Sequence, residues 1–491
     1  MRNSVRYLRN NVVEIIEDLD PRQTLLDHLR LSKQAVGTKE GCNEGDCGAC
    51  TVVLGRIRDG ELHYEPVNAC ITLTGMVDGC EVITVEDLAE GETLHPVQQA
   101  MVDHHGSQCG FCTPGIVMSL FALYQDGARP VTRQAITDQL SGNLCRCTGY
   151  RPIIDAAQSA CAAAPADRFA RARAGKRQAL LNLQDEMDVF VGDEQRFFAA
   201  PASVDALARL YLQHPDATLV AGATDVGLWI TKQLRDLKKI IWLGRVAKLD
   251  RLTLAEDGVS MGATVTHARA LPALAAIDPD LGEMMRRFGS TQVRASGTVG
   301  GNIANGSPIG DLAPALIALG ARLYLRRGEE GRALLLEDFF IGYGKQDRQP
   351  GEFVVGLAVV KPGADEAFRC YKISKRFDED ISAVMGAFKF TLAGGRIASA
   401  RVAFGGMAAT PRRGLHTEEA LAGIELDDSS NWGRALDALA VDYQPISDMR
   451  ASADYRNEVA RALLMKALVE IAGAESSETR LIGRRERADA A

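Results

Sequence analysis

Cysteine is the residue type whose spacing in this sequence most clearly indicates chemistry. Ten of the eleven cysteines lie between Cys42 and Cys161, and only Cys370 lies beyond them. An odd number of cysteines, concentrated in one region and without a secretion signal, does not fit a disulfide framework. The pattern predicts thiolate ligands for a metal ion or an iron–sulfur cluster in the N-terminal third of the chain.

Four cysteines form a first cysteine set, in which C-x4-C-x2-C is followed by a fourth residue: Cys42, Cys47, Cys50 and Cys70. This is the plant-type [2Fe–2S] spacing. A binuclear iron cluster requires four soft, deprotonated thiolates, and the glycines of the loop let the backbone curl closely and direct N–H groups at sulfur. A structural zinc site is the alternative, but zinc favours two paired knuckles and Cys70 stands alone.

A second cysteine set combines a C-x2-C pair with a C-x-C pair: Cys109, Cys112, Cys145 and Cys147. Each pair directly precedes a predicted helix, and Pro114 suits a first helical turn. Two helix N-termini would then direct unsatisfied N–H groups and positive dipole ends at one anionic cluster. The C-x-C pair is tight for a single metal ion but workable for a binuclear cluster, and zinc remains the alternative on spacing alone.

Three cysteines fall outside both sets. Cys80 is predicted to be a small buried residue, and the spacing assigns no role to Cys161 or Cys370. His104 and His105 lie beside the second set, but histidines near a helix end are usually solvated or satisfied in a core. We therefore predict no ligand role for them.

Two glycine-rich loops are the remaining candidates for a binding role, the first glycine loop at residues 219–227 and the second at 295–311. Backbone N–H groups in such loops can hold a pyrophosphate, because absent side chains permit close approach. Ordinary turns would also explain either loop. No G-x-G-x-x-G follows a predicted strand, and no P-loop motif occurs, so a Rossmann dinucleotide fold is not predicted.

The elements that must position these residues fall into several domains. In residues 1–80 we predict strands at 5–8, 12–16 and 50–54, a hairpin turn at 9–11, and a helix with Asp20 as its cap and Pro21 at its first position. In residues 82–160 we predict four helices, at 96–104, 114–124, 132–140 and 151–163.

The rest of the chain is predicted from its changes in composition. Residues 161–183 are rich in alanine and arginine and are predicted to be a partly helical linker. Residues 184–365 have an α/β rhythm. Residues 366–473 carry predicted strands at 387–392 and 401–404 and helices at 417–422 and 455–472. The charged tail, 474–491, is predicted to be frayed.

Composition limits the class of protein. Hydrophobic residues make up 46% and charged residues 24% of the 491 residues, which is typical of globular domains. The formal net charge of −8 argues against a nucleic-acid-binding surface over the whole molecule. The chain has no apolar run of 18 residues and no apolar core of a signal peptide near its start, so we expect no membrane association and a cytoplasmic location.

The motifs around the second cysteine set carry a resemblance. Residues 108–115 (QCGFCTPG) and 142–152 (GNLCRCTGYRP) resemble the iron–sulfur half of the molybdenum hydroxylases, a family that includes xanthine dehydrogenases, aldehyde oxidases and carbon monoxide dehydrogenases. The resemblance implies two [2Fe–2S] clusters and a multidomain α+β fold. Its parts would be a β-grasp plant-type ferredoxin domain, a four-helix [2Fe–2S] domain, a vanillyl-alcohol-oxidase-type FAD domain and an α/β C-terminal flavoprotein domain.

The same resemblance implies which residues bind FAD. The first glycine loop would hold the diphosphate, through Leu219, Val220, Ala221, Gly222, Ala223, Thr224, Asp225 and Val226. The second loop would contribute Thr298, Gly300, Gly301 and Asn302. Phe288 matches an aromatic near the isoalloxazine ring, with core packing as the alternative. Asp311 matches an acid on the ribityl or ribose side, Val354 an apolar contact, and Lys372 a lysine near the flavin.

The resemblance also implies that the charged loop, residues 374–382, lies near the flavin. Arg376 in this loop would then raise the flavin potential, and its loss would lower that potential and shift the partition of electrons between NAD and oxygen. Without the resemblance, a charge run of this kind is usually a solvated face.

Within the family, the fusion of iron–sulfur and FAD parts resembles the small subunit of the bacterial xanthine dehydrogenases. We expect no catalytic residue in this chain, a molybdopterin site in a larger partner chain, and a heterotetramer of two small and two large chains. Electrons from oxidation of hypoxanthine or xanthine to urate would pass through the two clusters to FAD and then NAD. Oxidation of an aldehyde or an aromatic heterocycle is the alternative, and oxygen is an alternative acceptor. A non-catalytic iron–sulfur scaffold is disfavoured by the paired glycine loops.

Overall fold

The computed structural model describes residues 1–481, which divide into two compact units. The first unit comprises Met1–Lys248 and Gly289–Gly297. The second comprises Leu249–Phe288 and the described residues from Thr298 onward. The predicted FAD domain, 184–365, is therefore divided between the two units. No helix of the described residues is both long and apolar enough to cross a membrane.

The first unit begins with a five-stranded sheet of order β2-β1-β5-β3-β4. Its strands are β1 Val5–Arg9, β2 Val12–Ile16, β3 Thr51–Arg58, β4 Glu61–Asn68 and β5 Glu81–Ile83. Asn10 and Asn11 both have positive φ angles, 48° and 65°, as a two-residue hairpin turn between twisted strands requires. The predicted hairpin is thus confirmed, and the sheet matches the expected β-grasp domain.

The helix after this hairpin starts later than predicted. Helix α1 is Leu25–Asp27, and the Thr24 side chain caps it by accepting from the Asp27 N–H group. Asp20 instead accepts from the Arg22 N–H group in a turn at 2.9 Å. The prediction of Asp20 as the cap is wrong because this local turn satisfies its carboxylate before the helix begins.

The four predicted helices of the second domain are confirmed as α2 Pro96–Asp103, α3 Thr113–Asp126, α4 Arg133–Leu140 and α5 Arg151–Ala160. They share one apolar core, in which Ile116, Phe121, Ile136 and Ile153 are fully buried. The last helix ends at Ala160 rather than residue 163.

The predicted linker contains a long helix, α6 Arg168–Leu183, that packs on the first sheet. Leu180 and Leu183 form an apolar cluster with Leu8 and Leu62. Lys176 is buried and donates to Glu81, which is also buried. The predicted helical content is confirmed, and paired basic residues together with an apolar face explain why this segment docks on the first unit.

A second sheet of the first unit has the order β6-β7-β9-β8. It comprises β6 Val189–Gly192, β7 Phe197–Ala200, β8 Thr218–Val220 and β9 Lys239–Trp242, with helices α7 Val204–Gln213 and α8 Val226–Thr231. Phe198 and Trp242 of this sheet share one core with Val52 and Leu73 of the ferredoxin-like domain. The residues 289–297 add a short helix to this unit, α11 in chain order, Thr291–Ser296.

The second unit contains a five-stranded sheet of order β10-β11-β16-β12-β13 and a small pair, β14-β15. The strands are β10 Leu252–Ala255, β11 Gly258–Gly262, β12 Arg322–Arg327, β13 Glu330–Leu335, β14 Phe340–Gly342, β15 Lys345–Gln346 and β16 Glu352–Val360. The associated helices are α9 His267–Ile277, α10 Pro279–Arg286, α12 Val299–Asn305 and α13 Leu312–Leu319.

The C-terminal part of the second unit is a four-stranded sheet of order β17-β18-β19-β20 with helices beside it. Its elements are β17 Glu366–Ile373, β18 Val384–Ala393, β19 Arg396–Gly405, β20 Arg412–Arg413, α14 Leu415–Leu421, α15 Gly433–Asp442, α16 Ala453–Ile471 and α17 Ser476–Thr479. The predicted strands and helices of this region all lie within or overlap these elements.

The prediction of a frayed tail is wrong for residues 474–481. Arg480 is buried and forms ion pairs with Asp280, at 2.6 Å, and Glu470, at 2.5 Å. A buried guanidinium held by two buried carboxylates fixes the chain there, because each charge needs the other in low dielectric. The predicted tail beyond residue 481 lies outside the described residues.

Candidate cluster and flavin sites

The first cysteine set converges at one end of the ferredoxin-like sheet. The N–H group of Cys42 donates to the sulfur of Cys47, and the N–H group of Cys47 donates to the sulfur of Cys42, each at 3.3 Å. The Cys42 thiol also contacts that of Cys70, which contacts that of Cys50. The four sulfur atoms predicted as ligands therefore meet in the fold.

The loop of the first set turns sharply to bring these sulfur atoms together. Asn43, Gly45 and Gly48 have φ angles of 56°, 81° and 68°. The Asn68 side chain donates to the Gly45 carbonyl at 2.7 Å and ties the loop to strand β4. Left-handed backbone at closely spaced positions is what lets a ten-residue loop present three thiols in one direction.

The chemistry of this donor set fits a cationic group. Contact with the Cys42 thiol, and then with the Cys50 thiol, raises the pKa of Cys70 far above its usual range. Adjacent thiolates repel one another, so four of them coexist only when metal charge offsets the repulsion. The irons of a bound [2Fe–2S] cluster would supply that charge.

The second cysteine set also converges. The thiols of Cys112 and Cys145 are in hydrogen-bonding contact, and so are those of Cys109 and Cys147. Cys112 directly precedes α3 and the C-x-C pair lies just before α5, as the sequence predicts. Cys109 and Cys147 are exposed at the surface of this unit.

Polar neighbours orient Cys145. Its N–H group donates to the Tyr150 hydroxyl at 2.7 Å, and the Thr148 hydroxyl lies 3.2 Å from its sulfur. Desolvation raises the pKa of Cys145, but hydrogen bonds from Thr148 outweigh this effect, so the pKa lies below its usual value. A readily formed thiolate suits an iron ligand.

The pairwise arrangement of the cysteines argues against a mononuclear zinc site. A [2Fe–2S] cluster instead takes two thiolates on each of two irons. The pairs seen here match that division of ligands.

The cysteines and histidines outside the sets have no part in them. Cys80 is buried, with 5% of its surface exposed, which confirms its prediction as a small buried residue. Cys161 and Cys370 are also buried in apolar cores. His104 is half-buried and His105 is exposed.

The first glycine loop connects β8 to α8 in the first unit. The N–H groups of residues 222–225 donate to no protein atom within the described part of the chain. A Cβ atom at Gly222 would lie 1.9 Å from the carbonyl oxygen of Ser296, so only glycine fits there. A run of unsatisfied N–H groups at a helix start fits the predicted binding of a diphosphate.

The second glycine loop differs from the first, because the amides at its helix start are already used. The N–H group of Gly301 donates to Thr298 Oγ1, and that of Asn302 donates to the Thr298 carbonyl. The N–H group of Gly300 donates to Ala263, and a Cβ at Gly300 would lie 2.5 Å from Ala263 Cα. Close packing of α12 thus explains Gly300.

In the second glycine loop, a side-chain atom of Asn302 lacks a hydrogen-bond partner within the described residues. Oδ1 of Asn302 is buried and accepts no hydrogen bond in the described structure. A buried amide oxygen without a donor costs about 1–3 kcal/mol. Asn302 is therefore the residue of this loop best suited to accept from a bound ligand.

Asp311 and Lys372 form a buried ion pair in the second unit. Lys372 Nζ donates to Asp311 Oδ2 at 2.6 Å and to the Ser382 hydroxyl at 2.9 Å, while Ser382 donates to Asp311 Oδ1 at 2.5 Å. All three residues are buried. The two residues that the sequence analysis assigned separately to the flavin thus meet, and Ser382 is a member that it missed.

Phe288 and Val354 lie in different surroundings. Phe288 is half-buried, and its ring lies 4.6 Å from that of His267. Val354 is buried in the apolar core of the second unit. Phe288 is thus partly accessible to solvent, whereas Val354 is a core residue.

Arg287 is one anchor of the charged loop. Arg287 donates to the carbonyls of Phe377, at 2.8 Å, and Lys372, at 3.1 Å. Desolvation lowers the pKa of Arg287. Arg376 pairs with Asp380 at 2.6 Å, but 56% of its side chain is exposed. The exposure of Arg376 favours the solvated alternative for this residue.

Four known sequence families match the chain in consecutive segments. Residues 10–74 match a 2Fe-2S iron-sulfur cluster binding domain, and residues 84–158 match a [2Fe-2S] binding domain. Residues 193–360 match the FAD binding domain in molybdopterin dehydrogenase. Residues 369–471 match the CO dehydrogenase flavoprotein C-terminal domain.

Enzymes of known function are similar to parts or most of this chain. Xanthine dehydrogenase of Emericella nidulans is 32% identical over 508 residues, which cover 90% of this chain and 36% of that protein. The chain thus spans about a third of that relative's length. Quinoline 2-oxidoreductase from Pseudomonas putida 86 is 26% identical with a TM-score of 0.51, over 56% of this chain and 95% of that one.

Carbon monoxide dehydrogenase from Hydrogenophaga pseudoflava, in a form that lacks the Mo-pyranopterin moiety of its cofactor, is likewise similar. It is 26% identical with a TM-score of 0.52, over 55% of this chain and 95% of that one. Two [2Fe–2S] domains followed by an FAD-binding domain assign this chain a role in electron transfer. The chain belongs to the molybdenum hydroxylase family and carries that family's iron–sulfur and flavoprotein domains.

Proposed function

We propose that the chain is the electron-transfer subunit of a xanthine dehydrogenase, linked to a molybdenum-cofactor chain that oxidises hypoxanthine and xanthine to urate. When bound, the two clusters carry one electron at a time and FAD gathers two, which it passes to NAD as a hydride. The chain's own residues would set the spacing, the access and the potential of these groups.

The convergence of both cysteine sets in one unit carries this proposal. Leu144, directly before Cys145, donates its N–H group to the Cys47 carbonyl at 3.0 Å. The two loops that would hold the clusters are thus in direct contact. This arrangement suits the transfer of single electrons from one cluster to the other. We assign Cys109, Cys112, Cys145 and Cys147 to the cluster nearer molybdenum, because its exposed thiols can face a partner. The first cysteine set then serves the cluster nearer flavin.

We propose that the first glycine loop receives the FAD diphosphate on its free amides, and that Asn302 accepts from the ligand. Phe288 would stack beside the isoalloxazine ring. The Lys372–Asp311 pair would contribute a fixed dipole to the electrostatic environment of the flavin. Its buried position makes direct contact with ribose a weaker assignment than the sequence analysis gave to Asp311.

The partner and the location remain part of the proposal. A larger molybdenum-cofactor chain would complete the enzyme as a heterotetramer of two small and two large chains. All eleven cysteines are free thiols, and eight of them are the proposed ligands. Thiols in such number persist in a reducing compartment, which supports a cytoplasmic location.

Reconstitution of the purified chain tests the proposal. Loaded with iron, sulfide and FAD, it should show a flavin spectrum and two distinct [2Fe–2S] signals, and should reduce an artificial dye with NADH. Alone it should leave xanthine unchanged. Addition of the proposed larger molybdenum-cofactor chain should give urate formation from xanthine with NAD as acceptor. Failure of NADH to reduce the flavin would exclude NAD as the acceptor. Oxidation of xanthine by this chain alone would exclude a separate molybdenum-cofactor chain as the site of that reaction.

A non-purine substrate is the second candidate, since the solved relatives include the quinoline and carbon monoxide enzymes. The same reconstituted enzyme decides between them when it is supplied with xanthine, an aldehyde and quinoline in parallel. The substrate with the highest kcat/KM identifies the class.

A further inference from the structure

One buried side chain joins three separate segments of the first unit. Gln292, on α11, is fully buried. Its amide nitrogen lies 2.9 Å from Asn143 Oδ1, 3.1 Å from Ser119 Oγ and 3.2 Å from Thr51 Oγ1. These partners belong to the loop of the second cysteine set, to helix α3 and to strand β3. A single amide thus ties residues 289–297 to both cluster domains.

The hydrogen bonds around Gln292 continue to the loop of the first cysteine set. Ser119 donates to Asn143 Oδ1 at 2.6 Å. Asn143 Nδ2 and the Thr51 hydroxyl then both donate to the carbonyl of Gly48, at 3.2 Å and 2.7 Å. Gly48 lies between Cys47 and Cys50 in sequence. The network therefore runs from α11 to the backbone that holds two proposed cluster ligands.

The segments at this junction touch backbone to backbone. A Cβ atom at Gly48, whose φ is +68°, would lie 2.0 Å from the carbonyl oxygen of Gly142. A Cβ at Gly142 would lie 2.2 Å from Gln292 Oε1, and one at Gly115 would lie 2.1 Å from the Gly48 oxygen. The three segments are so close that even a methyl group would not fit between them. Loss of one hydrogen-bond partner should therefore shift the neighbouring segments.

The side-chain amide of Gln292 uses its nitrogen as a donor, but its oxygen has no donor in the described part of the chain. Its oxygen is buried and accepts no hydrogen bond among residues 1–481. A buried oxygen that accepts no hydrogen bond lowers the stability of the folded chain. A residue that carries this cost while its nitrogen serves three acceptors is better explained by a positioning role than by stability.

What the network positions is a hydrogen bond between the two cluster loops. The Leu144 N–H group donates to the Cys47 carbonyl at 3.0 Å. Leu144 is bonded to Cys145, so a path of covalent bonds and one hydrogen bond joins a member of each cysteine set. Electronic coupling decays less steeply along bonds than across a gap.

We propose that Gln292 is a positioning residue for electron transfer between the two clusters, and that the Leu144–Cys47 hydrogen bond is the route. In this step one cluster would lose one electron and the other would gain it. No covalent bond changes and no proton moves. The inference rests on the ligand assignment of the proposed function.

The test compares Gln292→Leu with a matched control, Gln139→Leu. Leucine keeps a similar volume at position 292 but removes all three hydrogen bonds. Gln139 donates to the Ser119 carbonyl, at 2.8 Å, and among residues 1–481 it has no hydrogen bond to either cluster loop. In the purified full-length chain with clusters and FAD bound, electron equilibration between the clusters is timed after flash photoreduction. Exchange of the Leu144 amide hydrogen is measured on the same samples.

Gln292→Leu should slow equilibration severalfold, because the path between the clusters then crosses a gap in place of the Leu144–Cys47 hydrogen bond. Loss of these hydrogen bonds should also speed exchange at Leu144 by on the order of tenfold. The control should change neither quantity. Iron content and both cluster signals should stay intact in every variant.

Unchanged equilibration and exchange in Gln292→Leu, with both clusters present, would overturn the positioning role. Loss of iron from the unaltered chain would instead overturn the ligand assignment, which separates the two failures. If Gln292→Leu does not fold, Ser119→Ala serves as the second variant, since it removes one acceptor of Gln292 and one donor to Asn143 at small cost in volume. An unchanged rate there likewise counts against the proposal.

Discussion

Lys372 and Asp311 form a buried ion pair in the second unit, with Nζ 2.6 Å from Oδ2 and both side chains at most 4% exposed. The pair joins strand β17 to the residue that precedes α13. Ser382 bonds to both partners and completes the group. Neither charge has water as an alternative partner, so each depends on the other.

Replacement of Lys372 by methionine should destabilise the second unit by about 3–5 kcal/mol, because it leaves the Asp311 carboxylate buried and unpaired. Lys372→Met/Asp311→Leu should recover most of that loss. Urea unfolding followed through Trp432, the tryptophan of this unit among the three in the chain, measures both. Equal loss in the single and double variants would show that the charge pair is not the cause.

Cys145→Ser should remove one of the two [2Fe–2S] signals in electron paramagnetic resonance and halve the iron content from about four per chain. FAD should remain, and so should reduction of a dye by NADH, whereas xanthine-to-NAD turnover should stop. Cys161→Ala is the control, because Cys161 is a buried cysteine of the same helical core that belongs to neither set. Retention of both signals with full iron in Cys145→Ser would disprove the ligand assignment.

Gly222→Ala should lower FAD content while both cluster signals persist. The added methyl group would lie 1.9 Å from the Ser296 oxygen, so the first glycine loop must shift and its amides lose their alignment. Gly175→Ala is a matched control on α6, where nothing lies within 4 Å of the new atom, and it should stabilise the chain by about 0.5–1 kcal/mol. Flavin absorbance per chain measures the effect, and wild-type flavin content in Gly222→Ala would remove the loop from the site.

Arg376→Ala should leave the flavin potential unchanged and alter stability by less than about 1 kcal/mol, because an exposed ion pair contributes little. Arg287→Met should cost more, since it removes the donors to Phe377 and Lys372 that anchor the charged loop. A potentiometric titration of the flavin and thermal unfolding distinguish the two. A lowered potential in Arg376→Ala would restore the hypothesis drawn from the resemblance.

The pH dependence of stability should carry a contribution from His28. Its ring lies 2.9 Å from the Tyr7 hydroxyl, and burial, followed by the charge of Lys33, lowers its pKa from 6.5 to about 4. The unfolded chain therefore binds a proton more readily, and about 3 kcal/mol of stability is lost as pH falls from 6.5 to 4.

His28→Gln tests this contribution, because glutamine keeps a polar group near Tyr7 but does not titrate. The thermal midpoint of the unaltered chain should fall more steeply than that of the variant between about pH 7 and pH 5. Above about pH 7 the two should show parallel behaviour, since His28 is neutral in both folded and unfolded chains. Parallel curves below pH 6 would show that His28 is protonated without penalty.

The cysteine spacing and the helix patterns could be interpreted from the sequence because both are local. C-x4-C-x2-C and C-x2-C restrict where thiols can point over a few residues, and the structure brings these thiols together. Apolar periodicity likewise predicted the four helices that precede residue 161. The start of α1 at Leu25 escaped the prediction, because Asp20 was engaged by a turn that competes with capping.

The amino-acid sequence by itself predicted the two cysteine sets, the order of the domains and one loop whose free amides suit a diphosphate. Only the tertiary structure decided which distant residues meet: Gln292 at the junction of the two cluster loops, Ser382 beside Lys372 and Asp311, and Arg480 between Asp280 and Glu470. Spacing along the chain carries no information about such pairs. Burial selects them, because a polar or charged group removed from water is stable only where the fold supplies its partner.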